Sequence, residues 1–136
     1  MQQCPHEWPI RIYYEDTDMQ GIVYYANYLK YLERARTEFL RQRGVEQDEL
    51  IESHQIAFAV RTVQMEYLKP AKFNDQLIVQ TRVESLKRAS LIFHQSIIRN
   101  DPNHEIINTA NIKVACLDAD TMRVKVIPKT LIERLL

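Results

Sequence analysis

Between Asn27 and Arg43 the apolar residues Tyr28, Tyr31, Leu32, Ala35 and Phe39 recur every three or four positions. Lys30, Glu33, Arg34, Arg36 and Arg41 fall on the other side. This spacing predicts one long amphipathic helix, with Gly44 as its stop. Its apolar stripe carries bulky rings, so whatever covers it must be broad, and a sheet is the natural cover. Arg34 and Arg36 are expected to take part in salt bridges on the polar side.

The rest of the chain supplies that sheet. Ile10 to Glu15 reads as a short strand, followed by a polar turn from Asp16 to Gly21. After the helix, Ile56, Phe58 and Val60 alternate on one parity and Val63, Met65 and Tyr67 on the other, a switch that predicts a bulge before Pro70 ends the strand. Leu77 to Val83, Leu91 to Ile97 and Ile106 to Cys116 alternate next. Lys87-Arg88 and Asn100-Asp101-Pro102-Asn103 are short, turn-rich joins that favour antiparallel hairpins. Met122, Val124 and Val126 read as a last short strand, and Lys129 to Leu136 as a terminal helix behind Pro128. The expectation is an α+β fold of one strand, one helix and a long meander, in a single domain over residues 1–136.

Composition excludes several functions. Lys plus Arg equals Asp plus Glu at 18 each, so no net field draws the molecule toward nucleic acid. Gly21 and Gly44 are the only glycines, which removes the P-loop, the dinucleotide-binding motif and the nucleophile elbow of serine esterases. Cys4 and Cys116 do not make a disulfide framework, and the start of the chain lacks the pattern of a secretory signal. A soluble, cytoplasmic protein without an integral membrane segment is expected.

The densest polar cluster is Glu15-Asp16-Thr17-Asp18, followed by Gly21. A calcium loop counted from Asp16 needs Asp or Asn at its fifth position and Glu at its twelfth, where Gln20 and Asn27 stand. Cys4-Pro5-His6 offers too few ligands for structural zinc, and neither a metal nor a cofactor is expected. The cluster runs into Ile22-Val23-Tyr24-Tyr25, an apolar stretch expected to enclose a carboxylate. A carboxylate held between a strand end and a helix start invites a catalytic reading. His6 reads as part of an N-terminal tail, His54 as part of a polar link, and Glu66 as a solvent-facing carboxylate.

The segments YYEDTDMQGIVYYANYLKYLERARTEFL, AFAVRTVQMEYLKPAKFNDQL and IPKTLIERL resemble the 4-hydroxybenzoyl-CoA-like thioesterases, especially the Tol-Pal-associated acyl-CoA thioesterase branch. The resemblance covers about Trp8 to Leu135. It implies the hotdog fold, a long central helix wrapped by a curved antiparallel sheet of about five to six strands, paired into homodimers or homotetramers. It also implies a fatty acyl-CoA or aroyl-CoA substrate, acyl carrier protein as a partner, and a place peripheral to the inner membrane.

Residue by residue, the resemblance makes Asp18 the essential carboxylate, with Asp16 shaping the turn. Thioester hydrolysis needs an attacking oxygen and relief for the charge that develops on the carbonyl oxygen. Asp18 is read as nucleophile or general base. A backbone N–H in the turn from Gly21 to Tyr25, assigned to Tyr24, is the expected oxyanion donor at the positive end of the helix. Many relatives read V-Y-H where this chain reads Val23-Tyr24-Tyr25, and a phenol does not replace histidine as a base near neutral pH. Tyr25 is therefore expected to bear on substrate choice, and Lys87 and Arg88 to meet the phosphates of coenzyme A. A non-catalytic acyl-CoA binding module is the competing expectation. A dehydratase ranks lower, because no histidine pairs convincingly with Asp18.

Overall fold

A computed structural model describes residues 4–136. Five antiparallel strands form one sheet: β1 (His6–Arg11), β2 (Ile56–Tyr67), β3 (Gln76–Leu86), β4 (Ser90–Arg99) and β5 (Ile106–Asp118), in the order β1-β3-β4-β5-β2. The helix α1 (Asn27–Gln42) lies against one face. Two shorter helices, α2 (Gln47–His54) and α3 (Lys129–Leu135), complete the elements. This is the α+β hotdog arrangement.

The pairing follows from residue parity. Leu77, Val79 and Thr81 on β3, Leu91, Phe93, Gln95 and Ile97 on β4, and Ala110, Ile112, Val114 and Cys116 on β5 are buried toward the helix. Tyr28, Tyr31, Leu32, Ala35, Phe39 and Leu40 of α1 meet that face. Phe39 anchors the centre: its ring is fully buried and stacks edge-on to Phe93 at 5.6 Å, with the Arg43 guanidinium 4.5 Å from its centroid. The parity switch in β2 is a register shift between Val60 and Thr62, which leaves Arg61 as the extra residue.

Several expectations need correction. The meander is confined to β3, β4 and β5; β2 pairs with β5 at the far edge, so its link to β3 crosses from one side of the sheet to the other. The first strand begins at His6 and ends at Arg11, because Pro9 is tolerated where β1 forms an edge, while Tyr14–Asp16 makes a single 3₁₀ turn. Met122 to Val126 forms no strand: Met122 has φ +62° in a tight turn, and only Val124 bridges Leu117. The polar link around His54 is the helix α2, which buries no residue fully and so carries no apolar period.

His6 is thus a strand residue, with its ring 6.0 Å from that of Phe39. Burial, followed by the charge of Arg43, holds its imidazole pKa below the usual 6.5. The folded state therefore binds fewer protons than the unfolded chain below about pH 6.5, and stability falls as the pH drops through the folded value. Thermal melts at pH 7.5 and 5 should show a smaller loss for His6→Phe than for the wild type; equal losses would remove His6 from the acid response. Phe39→Ala should lower the unfolding free energy in urea by about 3–5 kcal/mol through cavity formation.

Candidate active site

The strand end and the helix start are tied together by a miniature hairpin. Thr17 bridges Val23, the Asp18 N–H donates to the Ile22 carbonyl at 2.9 Å, and the Tyr24 N–H donates to the Asp16 carbonyl at 3.0 Å. At its tip the Gly21 N–H donates to the Asp18 carbonyl at 3.0 Å, and Gly21 takes φ +77°, where a side chain would strain the backbone. Asn27, the first residue of α1, donates its side-chain amide to the same Asp16 carbonyl at 2.9 Å. One main-chain oxygen therefore holds both the turn and the helix entry.

Asp16 serves this turn with its side chain as well, accepting the Tyr13 N–H on Oδ2 at 2.8 Å. Burial first, and then the nearby Asp16 carboxylate, push the Tyr31 hydroxyl far above the ordinary tyrosine value, so it remains a neutral phenol. Along the hairpin, alternation sends Thr17 and Val23 inward and Asp18, Ile22 and Tyr24 to the opposite side. Asp18 Oδ1 accepts the Gln20 N–H at 2.9 Å, and Oδ2 has no protein donor among the described residues.

Two sequence expectations change here. Within one chain the Asp18 carboxylate is exposed, as are Tyr24 and Tyr25, so the aromatic stretch does not enclose it. The Tyr24 N–H is already committed to Asp16, whereas the Tyr25 N–H has no acceptor among the described residues. The free donors at the start of α1 thus begin one residue later than expected, with the Tyr25 and Ala26 N–H groups, and they carry the positive character of a helix N-terminus. Sequence position alone does not reveal which amide the hairpin consumes.

Tyr25 is held from the other side. The Tyr67 hydroxyl donates to the Tyr25 carbonyl at 3.1 Å, and burial, followed by Tyr25, raises the Tyr67 pKa and keeps that donor protonated. The rings of Tyr25 and Tyr67 stand 6.2 Å apart, those of Tyr24 and Tyr25 5.0 Å. Below them the Ala71 N–H donates to the Tyr28 oxygen at 3.1 Å, and the Val23 N–H to the Ala71 carbonyl at 2.8 Å. Arg99 ion-pairs with Asp75 and donates to the Pro70 carbonyl at 2.9 Å, fixing the 70–75 segment behind the turn. The sequence reading placed Tyr67 in a strand but put neither Tyr67 nor Arg99 beside the turn, because β2 and β4 reach it only through the crossed topology.

Lys87 and Arg88 lie elsewhere. They form the hairpin after Leu86, whereas the turn adjoins residues 72–75 before Gln76, the other end of β3 and roughly 33 Å away along the strand. Within one chain the structure does not bring them to Asp18. Lys72 bridges Ile22 of the turn, and Arg11, Lys30 and Arg34 line a neighbouring groove of about 480 Å³ together with Glu15 and Asp16. No group of three or more His, Cys, Asp or Glu side chains able to hold a metal occurs among the described residues, and no described helix is long and apolar enough to cross a membrane.

Residues 13–135 match the family model described as the thioesterase-like superfamily. The chain is 43% identical over 122 residues to the acyl-CoA thioesterase YbgC of Haemophilus influenzae, covering 90% of this chain and 88% of the relative. It is 40% identical over 125 residues to the acyl-CoA thioester hydrolase YbgC of Escherichia coli, covering 92% and 91%. Its fold matches that of a 4-hydroxybenzoyl-CoA thioesterase mutant crystallised with 4-hydroxybenzoyl-CoA, with a TM-score of 0.90 at 21% identity over 98% of this chain and all of the other.

Tyr67→Phe removes the hydroxyl that grips the Tyr25 carbonyl while keeping the ring. Exchange of the hydrogen-bonded amides of Tyr24 and Asn27 should accelerate, with global stability lowered by no more than about 1.5 kcal/mol. Unchanged exchange in that loop would show that the grip does not order it.

Proposed function

Because this chain belongs to the thioesterase-like superfamily, we propose that it hydrolyses acyl-CoA thioesters to a free acid and coenzyme A, using the Asp18 carboxylate and the Tyr25 backbone amide. The activity class is supported by the two bacterial relatives, whose similarity spans nine-tenths of the chain. The observation that carries the residue assignment is the commitment of the Tyr24 N–H to Asp16, which leaves the Tyr25 N–H as the first uncommitted donor after the hairpin that carries Asp18.

The thioester carbonyl oxygen takes the Tyr25 N–H, and the carbonyl carbon is attacked from the Asp18 side. Either Oδ2 adds to the carbon, expels the thiolate and leaves a mixed anhydride that water opens, or the carboxylate removes a proton from the attacking water. Both routes place negative charge on the same carbonyl oxygen, so both need the same amide. A fixed main-chain donor stabilises that charge without reorganising, and loss of one such donor elsewhere costs about 10²–10³ in rate.

The phosphates of coenzyme A are assigned to Arg11, Lys30 and Arg34, which flank the turn, in place of Lys87 and Arg88. The exposed Asp18 and the long open edge of β2, with Val60, Val63 and Tyr67 outside the core, support a homodimer formed along that edge. Such pairing would wall in a site that a single chain leaves open.

Asp18→Asn removes the anionic oxygen at nearly constant shape and should lower thiol release from acyl- and aroyl-CoA substrates by about 10²–10⁴. Equal turnover by variant and wild type would reject the role of Asp18. Thermal stabilisation by acyl-CoA with no product from the wild type would instead identify a binding module.

A further inference from the structure

Arg36 was expected on the polar side of α1, engaged in a salt bridge. It lies four residues from both Leu32 and Leu40, which are buried, and its side chain lines a cavity of about 120 Å³ between α1 and the sheet. Leu40, Phe58, Leu91, Phe93 and Val114 form the apolar walls, and Glu33, Thr37 and Gln47 the polar ones. Arg36 Nη1 donates to Gln95 Oε1 at 3.0 Å. Gln95 is itself fully buried and held by the Leu32 carbonyl at 3.0 Å and the Thr81 hydroxyl at 2.9 Å, so the guanidinium rests on a rigid post.

Glu33 shares the cavity with this charge but does not ion-pair with it. Arg36 makes no ion pair among the described residues; the nearby Glu33 accepts the Thr37 hydroxyl at 2.9 Å instead. Burial lowers the Arg36 pKa from its usual value, with Glu33 opposing the shift, yet an arginine retains its proton at neutral pH. A largely buried cation with no direct ion pair is an unfavourable arrangement that an incoming anion relieves. Guanidinium suits a carboxylate, which can take two parallel N–H donors.

We propose that this cavity is a subsite for the far end of the acyl group, where Arg36 binds a second carboxylate, so that the enzyme prefers monothioesters of dicarboxylic acids. The proposal rests on the thioesterase reading. Tyr25 and Arg36 are 11 residues apart, about 16 Å along a helix, so the end of the acyl group is recognised well away from the reacting carbonyl. The cavity holds about the volume of four waters, room for a carboxylate and a few methylenes at the end of a chain. A free monocarboxylic acid offers the same chemistry, and the experiment separates the two.

The test compares kcat/KM for ω-carboxyacyl-CoA thioesters, from succinyl-CoA upward, with unsubstituted acyl-CoA thioesters of equal chain length. The wild type should favour the carboxylated member tenfold or more at one length at least. Arg36→Met, checked for folding by its melting temperature, should bring that ratio near one. Arg36→Lys, which keeps the charge but not the fork, should retain part of it and serves if the methionine variant does not fold.

A ratio at or below one at every length, or a ratio unchanged in a folded Arg36→Met protein, would overturn the proposal. Arg36-dependent inhibition by butyrate without such a ratio would assign the cavity to a free acid and overturn it as well. Failure of the thioesterase reading looks different, since neither series would be hydrolysed. Thermal stabilisation of the wild type by tetradecanedioyl-CoA beyond that by tetradecanoyl-CoA, lost in the variant, would then still support the subsite, and equal stabilisation would overturn it.

Discussion

The main-chain carbonyl of Asp16 is the joint on which the candidate site depends. It accepts the Tyr24 N–H and the Asn27 side-chain amide, so the chain leaving β1 and the chain entering α1 are fixed to one oxygen. The carbonyl of an ordinary turn would accept one bond. Here the second bond orders the helix entry, where Ala26 at the N-cap has no side-chain oxygen to contribute. The consequence is electrostatic: the first amide is consumed, and the next remains free where partial positive charge collects. Asp18 stands two residues after the joint, on the outward side of the same hairpin.

This joint holds because the elements behind it are packed. Phe39 and Leu32 anchor α1 in the concave face of the sheet, while Tyr28 reaches the Ala71 amide and Tyr67 grips the Tyr25 carbonyl. Arg99 and Asp75 brace the segment that carries Ala71. The site is thus assembled from the end of β1, the start of α1, the end of β2 and the link to β3, elements far apart in sequence. Placing reactive groups on loops at the ends of a rigid sheet is a common division of labour between scaffold and chemistry.

Much of the fold is legible in local pattern. The stripe from Tyr28 to Phe39 and the parity switch between Val60 and Val63 are direct records of a helix face and a bulge, because burial selects side chains at the period of the element. Strand order is not local, and nothing in the residues of β2 announces that its partner is β5. The carboxylate cluster was visible as a motif, and the resemblance singled out Asp18. The commitment of the Tyr24 amide to Asp16 was hidden, since main-chain hydrogen bonds leave no mark on side-chain identity. Arg36 was misread for a related reason: a long charged side chain can place its stem and head over an apolar wall while its spacing still looks solvent-facing.

The central claim is that the Tyr25 amide, not that of Tyr24, meets the carbonyl oxygen of a bound thioester. Amide proton chemical shifts of the ¹⁵N-labelled protein, recorded with and without a non-hydrolysable acyl-CoA ketone analogue, test it directly. The account predicts a downfield shift and slowed exchange at Tyr25, with Tyr24 little changed because its hydrogen bond to Asp16 is already made. A response at Tyr24 with Tyr25 unmoved would contradict it.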